Sequence, residues 1–185
     1  MEFDVIAYEL GLRICSVSKI NIKQITVGRM STTCLKRLKK ELLMLEKSPD
    51  EFIALYANPN DIRQWTATIC APPDSVYDGF RFDVSIECAS DYPLTPPKMK
   101  FMTRIFHPNV YYETGEICLD ILKKEWSPAW SLQSASRAIM TLLAEPAADS
   151  PLNCDAGNMI RAGDMRAFRS VARMYCVEFA ERNPK

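Results

Sequence analysis

Leu35, Leu38, Leu42 and Leu45 recur at intervals of three or four, the spacing that stacks side chains on one face of an α-helix. Lys36, Arg37, Lys39 and Lys40 fill the other side and make it basic. Ser31, Thr32 and Thr33 are each able to cap the start of such a helix, and Pro49 ends it. The period then changes. Trp65, Ala67 and Ile69 alternate with Gln64, Thr66 and Thr68, and the nine residues Phe80–Cys88 alternate without a break, which predicts strands with one packed and one wet face. Turn residues lie between them, from Pro72-Pro73-Asp74 to Asp78-Gly79, so an antiparallel meander is expected. A third strand is predicted at Lys98–Met102. The preceding Pro96-Pro97 pair excludes regular structure and fixes the entry to that strand.

From Arg104 to Trp130 no period is visible, and stretches of that length without an element are usually functional. Helical spacing returns with Leu132, Ala135, Ile139, Leu142 and Leu143, ahead of Pro146. A short helix is predicted around Asp155–Arg161, stopping at Gly163. Asp164 then caps a last helix with Met165, Phe168, Val171, Ala172, Tyr175 and Phe179 as its stripe. Strands with helices around them make an α+β domain over residues 31–185.

Residues 1–30 read differently. Glu2, Asp4 and Glu9 precede the first basic residue, which fits neither a secretory signal nor an organelle transit peptide. The segment is taken as an N-terminal extension of unknown role, and whether Met30 is an alternative start of translation stays open. The formal net charge is zero, so general affinity for nucleic acid or an anionic membrane is not indicated. No apolar run reaches the roughly 20 residues of a bilayer span.

The seven cysteines stand at 15, 34, 70, 88, 118, 154 and 176, never closer than 18 residues. With one histidine and no Cys-x-x-Cys, zinc-site spacing is absent and no metal or other cofactor is expected. Scattered, odd-numbered cysteines suit a reducing compartment, where most act as small buried hydrophobes.

Cys118 departs from that default. It follows the Gly115 turn in the irregular stretch, with Asn109 upstream, Asp120 two residues later, and His107, the only histidine, in the same segment. A thiol reacts as thiolate. His107 as its base would give protease-like chemistry, but a histidine in His107-Pro108-Asn109 is better suited to bonding nearby backbone. An Asn109 amide has two readings: a donor to an oxyanion formed at a thioester carbonyl, or a turn-former bonding its own backbone.

Six ordered motifs carry a resemblance. The basic first helix, Tyr92-Pro93-x-x-Pro96-Pro97, His107-Pro108-Asn109, Gly115-x-Ile117-Cys118-Leu119-Asp120-Ile121-Leu122, Trp126-Ser127-Pro128-Ala129 and Asp149-Ser150-Pro151-Leu152 are similar to those of the ubiquitin-conjugating enzymes. The resemblance implies the ubiquitin-conjugating fold, a four-stranded antiparallel meander with flanking helices. It also implies that Cys118 accepts ubiquitin from the ubiquitin-activating enzyme as a thioester. In the same way Asn109 would stabilise the oxyanion or hold the catalytic loop, His107 would be structural, and Asp120 would lie near the acceptor. Leu94, Ser127, Pro128 and Ala129, with Arg37 and Lys40, would form the surface that meets a RING-type ubiquitin ligase.

Three departures stand out. Eleven positions separate His107 from Cys118, one more than in many family members, so the Asn109-to-Cys118 geometry does not follow from the resemblance. Ser150 stands where an acidic residue often helps deprotonate a lysine acceptor, with two readings open: Asp149 beside it as a substitute, or Ser150 itself as a phosphorylation site. Losing that carboxylate slows an amine more than a thiol, whose pKa is lower. Arg137 occupies a position that is often apolar and faces the donor ubiquitin.

The long spacing and the stretch from Glu145 to Met165 resemble the fungal peroxisomal branch of the family. That likeness implies work at the cytosolic face of the peroxisome, recruitment by a membrane-anchored peroxin, and transfer of ubiquitin to a cysteine of the matrix-protein import receptor for its recycling. Two alternatives stay open: a general cytosolic enzyme making lysine-linked ubiquitin, and a non-catalytic scaffold of the same fold.

Overall fold

The computed structural model describes residues 31–183; the extension read over residues 1–30 lies outside the described residues. Helix α1 (Thr32–Lys47) starts on Ser31, whose hydroxyl accepts the Cys34 N–H at 3.1 Å. Leu38, Leu42 and Leu45 are buried as their spacing requires, and Leu35 packs at the rim of the core. Glu41 is buried with them, a carboxylate taken out of water that must find partners.

Four strands follow: β1 (Ile53–Asn58), β2 (Asp61–Cys70), β3 (Phe80–Glu87) and β4 (Lys98–Phe101), each antiparallel to the next in chain order. The register places apolar opposite apolar, with Ile69↔Phe82, Ala67↔Val84 and Trp65↔Ile86 across β2–β3, and Val84↔Phe101 and Ile86↔Met99 across β3–β4. A one-residue slip would turn every one of those side chains to the wet face. β1 was not legible as a strand because Ile53, Ala54 and Leu55 are all buried in succession, and a short unbroken apolar run carries no period of two. A two-residue strand, β5 (Glu181–Arg182), adds to the expected four by pairing with the start of β3.

Helix α2 (Leu132–Ala144) lies against β1 and β2. It opens on a capping box in which Ser131 and Ser134 satisfy each other's backbone N–H groups. Asn153 caps α3 (Cys154–Arg161) and Asp164 caps α4 (Met165–Phe179). The buried stripe of α4 is Phe168, Ala172 and Cys176, flanked by Val171, Tyr175 and Phe179. Met165 falls outside the stripe and is 40% exposed, because a first-turn side chain leans back past the helix N-terminus. Among the described residues, no helix is long and apolar enough to cross a membrane.

An aromatic cluster fixes where the chain goes after β4. Phe106 packs with Phe168 and Tyr175 of α4, at ring separations of 6.1 and 5.6 Å. The Tyr77 hydroxyl donates to the Phe106 carbonyl at 2.6 Å. Truncating such a buried ring costs about 3–5 kcal/mol, so the start of the irregular stretch is anchored as firmly as a strand.

Candidate active site

Residues 109–118 form a small hairpin rather than a loose loop. Cys118 N–H donates to the Asn109 carbonyl at 2.8 Å, Val110 bridges Ile117, and Tyr111 N–H donates to the Glu116 carbonyl at 2.9 Å. The second strand of the hairpin lies on β4, through Phe101 N–H to the Gly115 carbonyl at 2.8 Å and a bridge from Lys100 to Glu116. Gly115 turns the tip at φ +72°, and a Cβ there would sit 2.0 Å from the Phe101 carbonyl oxygen. Only glycine satisfies both demands. The tip is the turn Tyr112-Glu113-Thr114-Gly115, closed by Gly115 N–H on the Tyr111 carbonyl at 2.8 Å. Asn109 and Cys118 stay paired across the base of the hairpin.

His107 holds that base from beneath. Its Nδ1 accepts the Asn109 N–H at 3.0 Å, so the proton lies on Nε2, which donates to the Leu142 carbonyl near the end of α2 at 3.0 Å. Burial pushes the imidazole down to about 4, against the smaller opposing effect of the Leu142 carbonyl. The ring is therefore neutral near pH 7 and both its nitrogens are used on backbone groups. The Asn109 side chain is also committed. Its Nδ2 donates to the Ala147 carbonyl at 2.7 Å and its Oδ1 accepts the Ala147 N–H at 2.9 Å. These bonds run to the 145–150 loop and not to its own turn. The Pro108 carbonyl extends the tie by accepting Leu152 N–H and Asn153 N–H at 2.8 and 3.0 Å.

Cys34, Cys70, Cys88 and Cys176 are buried. Burial raises the thiols of Cys34, Cys88 and Cys176, the last to about 11. Such groups are inert toward bulky electrophiles. Cys118 is half-buried at the hairpin's end, with the Lys123 ammonium 3.7 Å from its sulfur. Asp120 opens the 3₁₀ turn Asp120–Leu122 and is paired with Lys124 at 3.3 Å. A thiol so placed can attack an acyl group presented from solvent while its own backbone is fixed.

The opposite end of α2 carries a second polar cluster. Buried Glu41 accepts the Tyr92 hydroxyl at 2.6 Å and the Arg37 Nε–H at 2.7 Å on one oxygen, and the Leu132 N–H at 2.8 Å on the other. The Arg37 guanidinium reaches on to the carbonyls of Pro128 and Trp130. Trp126 Nε1–H donates to the Pro93 carbonyl at 2.8 Å. Thus α1, the cis Tyr92-Pro93 turn and the 126–131 segment are held as one unit.

Comparison with known proteins gives this architecture a family. The family model described as "Ubiquitin-conjugating enzyme" matches residues 37–176. The chain belongs to the ubiquitin-conjugating enzymes. It is 52% identical over 141 residues to "Protein PEROXIN-4" of Arabidopsis thaliana, covering 75% of this chain and 90% of the relative. It is 51% identical over 140 residues to "Ubiquitin-conjugating enzyme E2 pex4" of Dictyostelium discoideum, covering 75% and 94%. Among solved structures, the H. polymorpha ubiquitin-conjugating enzyme Pex4p, in complex with the soluble domain of Pex22p, superposes with a TM-score of 0.77 at 33% identity over 80% of this chain and 99% of that one. As a ubiquitin-conjugating enzyme, the protein takes ubiquitin from the activating enzyme as a cysteine thioester and passes it on.

The residues singled out in the sequence fall into three places on this ubiquitin-conjugating enzyme. Cys118, Asn109, His107 and Asp120 gather at the hairpin base and the turn after it. Asp149 and Ser150 are exposed on the 145–150 loop that Asn109 holds. Leu94, 73% exposed, and the exposed Ser127, Pro128, Ala129 and Lys40 crown the other end. Arg37 belongs to that end as an inward strut, since its guanidinium is spent on backbone carbonyls. Arg137 reaches across to the buried Asp50 carboxylate, which also accepts the Phe52 N–H at 2.9 Å. Reading the sequence missed Glu41, Lys123 and Ala147. Glu41 sits in a run of charges that looks like a solvated face, and Ala147 contributes only backbone. Lys123 did have a signal: it lies one residue past the Cys118-to-Leu122 motif.

Proposed function

We propose that Cys118 is the cysteine that carries ubiquitin, and that the acceptor is a cysteine of the peroxisomal matrix-protein import receptor, modified so that the receptor is recycled. The likeness to the peroxin-4 proteins, 52% identical over 141 residues in one case, is the observation that carries this reading. Asn109 and His107 keep the 145–150 loop and the hairpin in register beneath the thioester, and Asp120, Asp149 and Ser150 flank the incoming acceptor. A serine at 150 supplies no general base, a loss that a thiol tolerates far better than an amine. A RING-type ligase docks on Leu94, Ser127, Pro128 and Ala129, with Lys40 beside them and Arg37 holding the platform. The enzyme works at the cytosolic face of the peroxisome, recruited by a membrane-anchored peroxin; that a relative was solved with the soluble domain of Pex22p supports this part.

Incubation with activating enzyme, ATP and ubiquitin is expected to give a reducing-agent-sensitive adduct on the wild type and none on Cys118→Ala. The charged enzyme is expected to discharge onto free cysteine faster than onto free lysine. A fast lysine reaction would overturn the thiol acceptor, and absence of any adduct would leave only a scaffold. Co-purification with a peroxisomal membrane anchor tests the location.

A further inference from the structure

The acceptor side of Cys118 is not electrically neutral. The 3₁₀ turn, closed by Leu122 N–H on the Leu119 carbonyl at 3.0 Å and Lys123 N–H on the Asp120 carbonyl at 2.9 Å, folds the chain back so that Lys123 Nζ stands 3.7 Å from Cys118 Sγ. Asp120 is paired with Lys124 at 3.3 Å, and Glu116 with Lys100 at 3.0 Å. Among the described residues, no carboxylate forms an ion pair with Lys123.

We infer that the Lys123 ammonium is a catalytic residue that sets the class of acceptor, favouring an incoming thiolate over an incoming amine at the Cys118 thioester. The inference deepens the thiol-acceptor reading above and rests on it. In thiol transfer the acceptor sulfur bonds to the thioester carbonyl carbon and an electron pair moves to the carbonyl oxygen. When that intermediate collapses, the bond from carbon to Cys118 Sγ breaks and its pair returns to the sulfur. The proton lost by the acceptor thiol goes to solvent, and Cys118 regains one from solvent. Every charge that arrives or develops on this path is negative, and Lys123 attracts it. An amine also expels the Cys118 thiolate, so that part of the benefit is common to both acceptors. The attacking nitrogen, however, becomes positive until it loses its proton, and a fixed ammonium opposes that. For an attacking atom that comes as near to Lys123 as Cys118 Sγ does, two unit charges at about 4 Å in exposed surroundings are worth about fivefold in rate, and the effect is screened by salt.

Single-turnover discharge of purified Cys118 thioester tests this, using N-acetylcysteine as a thiol without an amine and Nα-acetyllysine as an amine without a thiol. Lys123→Gln is expected to lower the thiol-to-amine rate ratio about fivefold, Lys123→Arg to restore it, and high ionic strength to shrink the difference. An equal effect of Lys123→Gln on both acceptors, or no rescue by arginine, overturns the inference. So does a reducing-agent-resistant ubiquitin adduct on Lys123 that accounts for thioester loss without acceptor, because Lys123 would then act as a neutral nucleophile. The wild-type ratio judges the thiol-acceptor reading by itself. A wild type that prefers the amine, with the ratio still falling in Lys123→Gln, defeats that reading and leaves the role of Lys123 standing.

Discussion

At its Leu132 end, α2 is pinned by a buried carboxylate that gathers a hydroxyl, a guanidinium and a backbone N–H. At its Leu142 end, the same helix is pinned by a neutral imidazole, and the segment beyond it by an uncharged amide. The anchors act at Leu132 and Leu142, so they stand roughly 15 Å apart at 1.5 Å per residue. Charge-assisted bonds are the stronger kind, and they serve the platform proposed to take the pull of a ligase. Neutral bonds fix the hairpin without adding a charge of their own beside the sulfur. Both ends are rigid, but only one is rigid at the expense of a buried charge.

The sharpest way to break the contrast is Glu41→Ala. It leaves the Tyr92 hydroxyl, the Leu132 N–H and the Arg37 guanidinium without their shared acceptor, which should cost about 3–5 kcal/mol in urea unfolding. A cost below about 1 kcal/mol would mean that the two ends are held alike. Next comes acidification, which attacks the catalytic end. The unfolded histidine takes a proton near pH 6.5 and the folded one only near 4, so the unfolded state binds more protons between those values. Stability should fall as pH drops from about 6.5 to about 4, by about 3 kcal/mol in all from this group. Because the chain has a single histidine, one ring resonance reads its midpoint directly by NMR; a midpoint near 6.5 would refute the neutral anchor.

Smaller effects refine the picture. Asn109→Ala removes both bonds to Ala147 and should cost about 1–3 kcal/mol, with discharge of the thioester slowed as the 145–150 loop loosens. Trp126→Phe removes one bond, to the Pro93 carbonyl, and should cost about 1 kcal/mol. Its mark should be weaker ligase-stimulated discharge with charging by the activating enzyme little changed.

The amphipathic helices and the alternating β2 and β3 were legible in the sequence because burial on one face writes itself as a period. β1 was not, since Ile53, Ala54 and Leu55 are buried without alternation. At the site, residue types showed which groups belong together but not which way they point. Asn109 was readable as a partner of the catalytic segment, yet its bonds go to the backbone of Ala147, a residue whose side chain carries no signal. Glu41 was hidden for a different reason. A charge among Lys36, Arg37, Lys39 and Lys40 looks wet until tertiary packing brings Tyr92 and Leu132 over it.

The hairpin that ends in Cys118 separates the length of the loop from the position of its sulfur. Since the tip closes on Gly115 and the base on Asn109, residues can be added or exchanged between Tyr112 and Thr114 without shifting the thiol. Exposed Tyr112 is thus a mounting point. A fluorophore or paramagnetic tag placed there would report on ubiquitin from the tip of the hairpin.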